Sequence, residues 1–136
     1  LRWGIEFANN AIIDIMSKVK PPYNINQATQ KLAPKALEEV GQVNDMIKEI
    51  VSMREAMVEV FNRIPIIHKV YHSDANFLLI KIDQANKVYE YLVTQEIVVR
   101  NRSNVLLCKD CLRITIGTEK ENTLLVDALS AYMDTL

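Results

Sequence analysis

The chain has 136 residues, 49% hydrophobic and 24% charged, with a formal net charge of -1. That is the length of one ordinary domain and the balance of a chain that buries a core; a charge near zero argues against a general nucleic-acid binder, which needs a basic face for the phosphates. No apolar run is long enough to span a membrane, and two cysteines make no secreted disulfide framework, so a reducing, cytoplasmic setting is expected.

The first residue is Leu1 and the first methionine is Met16, so the sequence reads as a processed chain or a fragment. "LRWGIEFA" sets Trp3, Ile5 and Phe7 against Arg2, Gly4 and Glu6, the period of a strand. Asn9 or Asn10 can cap a helix starting at Ala11, with Ile12, Ile15, Met16 and Val19 along one side. Pro21 and Pro22 end it. Asn24 or Asn26 opens the next helical stretch, in which Pro34 should form a kink or a split and Gly41 a stop. From Val43 onward, Met46, Ile47, Ile50, Met57, Val60, Phe61 and Ile64 recur at helical spacing, a long amphipathic helix ending before Pro65.

The rhythm then changes. "IIHKVYH" and "ANFLLIKI" read as strands around Ser73-Asp74. Asp83 is placed to cap a short helix through Ala85, Val88, Tyr89 and Leu92. "EIVVR" and "CLRITIG" are two further strands. Thr118 and Glu121 have the spacing of a capping box, opening a last helix with Leu124, Leu125, Ala128, Leu129 and Tyr132 inward. The expected class is α+β: helices, then β-β-α-β-β-α, in an open and largely antiparallel layer.

Four groups invite chemistry. Cys108 and Cys111 with His68 and His72 contain enough zinc ligands in number, but the pairs are far apart and the histidines fall in a strand, so no metal is expected. A reactive C-x-x-C places its first thiol at a helix start, whereas Cys111 begins a strand; both thiols read as inert. Ser17-Lys18 reads as a solvated lysine near a helix end. The arginines stand out more. Arg113 shares a face with Cys111 and Thr115, opposite the apolar Leu112, Ile114 and Ile116, and Arg100 ends a strand. If those strands are neighbours, two planar guanidiniums converge on one carboxylate or phosphate. Two surface salt bridges remain the alternative. Arg102 reads as a surface charge.

"KVKPPYNINQATQ", "SDANFLLIKI", "YLVTQEIVVRNRS" and "CLRITIGTEKEN", in that order, resemble the C-terminal part of the histidinol-phosphate aminotransferases, fold-type I pyridoxal phosphate enzymes. The opening "LRWG" resembles the end of their lysine motif. The resemblance implies that residues 1–25 are a remnant of the large cofactor-binding domain. Residues 26–136 would be the small C-terminal domain with its linking helix. Arg2 would then grip the cofactor phosphate, Arg113 the anionic end of the substrate, and Arg100 would assist it. Tyr23 and Asn24 receive no role. The implied cofactor is pyridoxal 5'-phosphate. The implied partners are histidinol phosphate, imidazole acetol phosphate, glutamate and 2-oxoglutarate, with a second subunit in a homodimer, and neither nucleic acid nor membrane.

This sequence departs from the family pattern in what it lacks. The Schiff-base lysine is expected just upstream of Leu1, with the ring-nitrogen aspartate and the stacking aromatic further upstream. Lys18 matches a different position. The chain alone is therefore expected to be inactive, with no catalytic residue of its own. A sister aminotransferase or decarboxylase, or a non-catalytic α+β binding module, are the alternatives.

Overall fold

A computed structural model of the chain describes residues 7–21 and 25–135. Arg2 and most of the expected opening strand, like Tyr23 and Asn24, lie outside the described residues. The chain divides into two compact units between Asn44 and Asp45.

In the first unit, side-chain caps fix where the helices start. α1 (Asn10–Val19) is capped by Asn9, whose Oδ1 accepts from the Ile12 N–H at 3.0 Å. α2 (Gln27–Glu38) is capped by Asn26, which accepts from the Thr29 N–H at 2.8 Å. Each cap satisfies an amide that has no partner within its own helix. Pro34 stays inside α2 without splitting it. It forfeits only the bond to the Gln30 carbonyl, and the helix ends soon after. The break falls at Glu39 (φ -100°, ψ 27°) rather than at Gly41, which sits in the first turn of α3 (Val40–Phe61). Gly41 does not adopt the positive φ of a helix-ending glycine.

The second unit is a four-stranded antiparallel sheet with helices on one face. Its elements are β1 (Ile67–Tyr71), β2 (Phe77–Ile82), α4 (Ala85–Thr94), β3 (Arg100–Asn101), β4 (Cys111–Thr115) and α5 (Glu119–Met133), and the strand order is β1-β2-β4-β3. Alternation assigns the faces. Leu78, Ile80 and Ile82 of β2 and Leu112 and Ile114 of β4 are buried against Phe61, Val88, Leu92, Leu125 and Leu129 of the helices. Each such side chain contributes about 1.5–3 kcal/mol of burial.

Local chemistry sets the element ends. α4 starts after Gln84, which is left-handed at φ 48° and makes no side-chain cap. The expected cap, Asp83, instead accepts from His68 Nε2 at 2.6 Å. At the other end of α4, the Ile97 N–H reaches the Leu92 carbonyl at 2.9 Å and the Glu96 N–H reaches Val93 at 3.0 Å, with Glu96 at φ 59°. This is a Schellman closure with glutamate where glycine is usual. It turns the chain early, so Ile97–Val99 are irregular and β3 is shorter than the expected "EIVVR". The α5 capping box forms in full: the Thr118 hydroxyl accepts from the Glu121 N–H, and Glu121 Oε2 accepts from the Thr118 N–H at 2.7 Å.

Candidate functional site

The sheet face opposite the helices carries the chemistry. The β2–β4 register sets Leu79 beside Arg113 and Lys81 beside Cys111. The β1–β2 register sets Tyr71 beside Leu79 and Lys69 beside Lys81. β3 then adds Arg100 directly opposite Arg113. Two cross-strand rows result, Tyr71–Leu79–Arg113–Arg100 and Lys69–Lys81–Cys111. No strand position in either row is acidic.

The Arg100–Arg113 pairing meets the condition that the sequence left open. Residues directly opposite in an antiparallel ladder have their Cβ atoms roughly 4.5–5.5 Å apart, and like charges so placed repel. Arg113 is half-buried and Arg100 exposed. The Arg113 guanidinium carbon lies 4.8 Å from the centre of the Phe77 ring, a cation–π platform that fixes the side chain. Burial, then the charges of Arg100 and Arg102, push the Arg113 pKa below its ordinary value. It stays protonated at neutral pH, because guanidinium starts so high. Among the described residues none of these arginines has a carboxylate within salt-bridge distance. Arg113 Nε and Ser103 Oγ are buried without a hydrogen-bond partner. Cationic groups drawn together, unneutralised and with an open donor, have the chemistry to hold a carboxylate or phosphate.

The other candidates separate. His68 bonds to Asp83, while His72 lies 4.0 Å from Asp74 and is almost fully exposed. Cys111 stands on β4, across β2 from the strand that carries His68. Among the described residues no cluster of three metal-ligating side chains forms. Cys108 and Cys111 are free thiols closing a turn, with the Cys111 N–H on the Cys108 carbonyl at 3.0 Å. Burial first, then the neighbouring Cys108, pushes the Cys111 thiol up, away from the lowered value that an activated thiol has. Lys18 is exposed in the last turn of α1. Among the described residues no helix is long and apolar enough to cross a membrane.

Two further residues belong to this face. Phe77 is not singled out by the sequence, although the alternation of "FLLIKI" puts it on the outer face with Leu79 and Lys81, where it meets Arg113. Arg102, which the sequence presents as a surface charge, is half-buried and close enough to depress the Arg113 pKa.

The profile of the family described as aminotransferase class I and II matches residues 1–129. The chain is 52% identical over 131 residues to the histidinol-phosphate aminotransferase of Flavobacterium psychrophilum, covering 96% of this chain and 38% of that protein. It is 42% identical to that of Cytophaga hutchinsonii over 97% of this chain and 38% of the relative. Among solved structures, the histidinol-phosphate aminotransferase of Clostridium acetobutylicum superposes with a TM-score of 0.86 at 27% identity, over 94% of this chain and 39% of that one. The L-threonine-O-3-phosphate decarboxylase of Porphyromonas gingivalis shares the fold, with a TM-score of 0.80 at 21% identity over 93% of this chain and 40% of that one. The chain thus spans about 38% of the length of the curated relatives it matches.

Proposed function

Because the chain belongs to the class I and II aminotransferase family, we propose that it is the C-terminal part of a histidinol-phosphate aminotransferase. The intact enzyme exchanges an amino group between glutamate and imidazole acetol phosphate in histidine biosynthesis, as a cytoplasmic homodimer. The observation that carries this reading is the unneutralised Arg100–Arg113 pair at the open face of the sheet.

Such an enzyme binds two anions in turn at one place, the phosphate of one substrate and a carboxylate of the other. A guanidinium fork matches both geometries, and Phe77 holds the Arg113 fork in place between turnovers. Arg113 grips the anion, and Arg100, exposed at the strand end, closes on it from across the ladder. Residues 1–25 are assigned to the large domain and residues 26–136 to the small domain with its linking helix.

The orphaned Arg113 Nε fits the anionic end of a substrate. Fit to the cofactor is narrower: the rows carry no carboxylate to meet a ring nitrogen, and their lysines, Lys69 and Lys81, are exposed. Pyridoxal 5'-phosphate, when bound, supplies the electron sink for amino transfer. Of these 136 residues only Arg2 is assigned to it, through the cofactor phosphate, and Arg2 lies outside the described residues. The Schiff-base lysine is placed outside these 136 residues, so the chain alone is inactive. A borohydride-trapped cofactor label on the isolated chain would contradict that.

The reading is tested in the full-length enzyme. Arg113→Gln should raise KM for both histidinol phosphate and glutamate by about tenfold or more, since each loses a charge-assisted contact. Arg113→Lys should recover only part, because an ammonium keeps the charge but not the fork. Wild-type kinetics in Arg113→Gln would remove the arginine pair from the site.

A further inference from the structure

The β3–β4 ladder continues past its last formal pair. The Arg102 N–H donates to the Cys111 carbonyl at 2.9 Å, so Arg102 stands across from Cys111 and extends the row that contains Lys69 and Lys81. Its neighbour fixes the parity. Asn101 donates from Nδ2 to Asn86 Oδ1 of α4 at 2.7 Å, so position 101 faces the helices. Positions 100 and 102 therefore face the other way, toward Arg113. After Arg102 the ladder stops, because Asn101 Oδ1 accepts from the Ser103 N–H at 2.9 Å and turns the chain away. Arg102 is held by its ladder bond to Cys111 one residue past the end of β3, half-buried, with no carboxylate within salt-bridge distance among the described residues.

We propose that Arg102 is the third guanidinium of the anion clamp and the residue by which it favours a doubly charged phosphate over a singly charged carboxylate. The proposal rests on the reading of Arg100 and Arg113 as the substrate's anion site. Those two must serve both substrates, so they cannot by themselves distinguish them strongly. A third cation one residue step to the side acts on charge number: at a given distance a dianion gains twice the Coulomb energy of a monoanion. A phosphate also has oxygens to spare for a third donor, whereas two forks already fill a carboxylate. Arg113 Nε, buried without a hydrogen-bond partner, is an open donor on the same face.

The experiment is Arg102→Gln in the full-length dimeric enzyme, with Arg102→Lys as the charge-keeping control. KM for histidinol phosphate should rise about tenfold, while KM for glutamate and both kcat values stay within about twofold. Arg102→Lys should restore part of the difference. Inorganic phosphate, as a competitor of the amino donor, should weaken about tenfold in Arg102→Gln, and acetate should not. Equal loss for phosphate and carboxylate ligands, or no loss for either, overturns the proposal. If the wild-type enzyme does not turn over histidinol phosphate, the proposed function falls by itself. The competition of phosphate against acetate, measured with whichever amino donor the enzyme accepts, still decides Arg102.

Discussion

Arg100 and Arg113 oppose one another in an antiparallel ladder, a pairing that a sheet chosen only for stability would avoid. The repulsion is tolerated because Phe77 holds one guanidinium against its ring and solvent screens the other. Like charges held opposite one another cost stability. Arg100→Gln should therefore stabilise the isolated chain, by up to about 1 kcal/mol at low ionic strength. Arg100 is exposed, so the change removes repulsion without removing packing. The gain should shrink in high salt, where exposed charges are screened. Urea unfolding at two salt concentrations reads both effects; a variant less stable than wild type at low salt would show that the pair is not under electrostatic tension. Arg113 could be placed from the sequence, because its strand alternates cleanly between apolar and polar positions. Arg100 could be placed only conditionally, because its partner strand is a long-range fact. Arg102 is not legible in the sequence, because its parity depends on a ladder bond to Cys111 that no local pattern announces.

At the scale of elements, α5 shows what short-range chemistry determines on its own. Thr118 and Glu121 exchange both capping bonds, as their spacing predicts. The backbone bond from Thr118, then its hydroxyl, holds the Glu121 carboxyl below its ordinary value of 4.5. A carboxyl whose folded-state value is lowered contributes stability above its ordinary value and loses it as pH falls. Thr118→Ala should cost about 1 kcal/mol at neutral pH. The gap between variant and wild type should narrow below pH 4.5, as Glu121 protonates. Thermal unfolding across that range measures it, and a gap independent of pH would separate the cap from Glu121. Other element ends were less legible. Asp83 has a good capping side chain, but His68, fifteen residues earlier, takes it, and α4 starts from a left-handed Gln84 instead. The Schellman closure at Glu96 shortened β3 without a glycine to signal it. Strands β2 and β4 were readable because one face of each is buried almost completely; β3, with two residues, has no period to read.

For the whole chain, the two units differ in what they bury. Residues 45–135 enclose a core of apolar side chains between the sheet and its helices. In the first unit α1 buries no residue, and Ile12, Ile15 and Val19 are exposed. Leu32 and Leu37 of α2 are exposed too, as is Val43 in the part of α3 that belongs to this unit. A helix as short as α1 is marginal in water unless its apolar side packs on something. Stripes of exposed apolar residues on successive helices amount to patches that monomeric proteins rarely leave open. Burying them is worth roughly 25 cal/mol per Å², so association is the available way to remove them from water when these 136 residues stand alone. The isolated chain should self-associate, with light scattering giving a mass above 15.6 kDa that rises with concentration. Because the drive is apolar, salt should strengthen the association rather than dissolve it. Replacing Ile15 and Leu37 by glutamate should lower the mass toward the monomer while leaving the sheet's unfolding transition in place, since neither residue belongs to its core. A chain that stays monomeric at every concentration would mean that these helices find cover within the molecule.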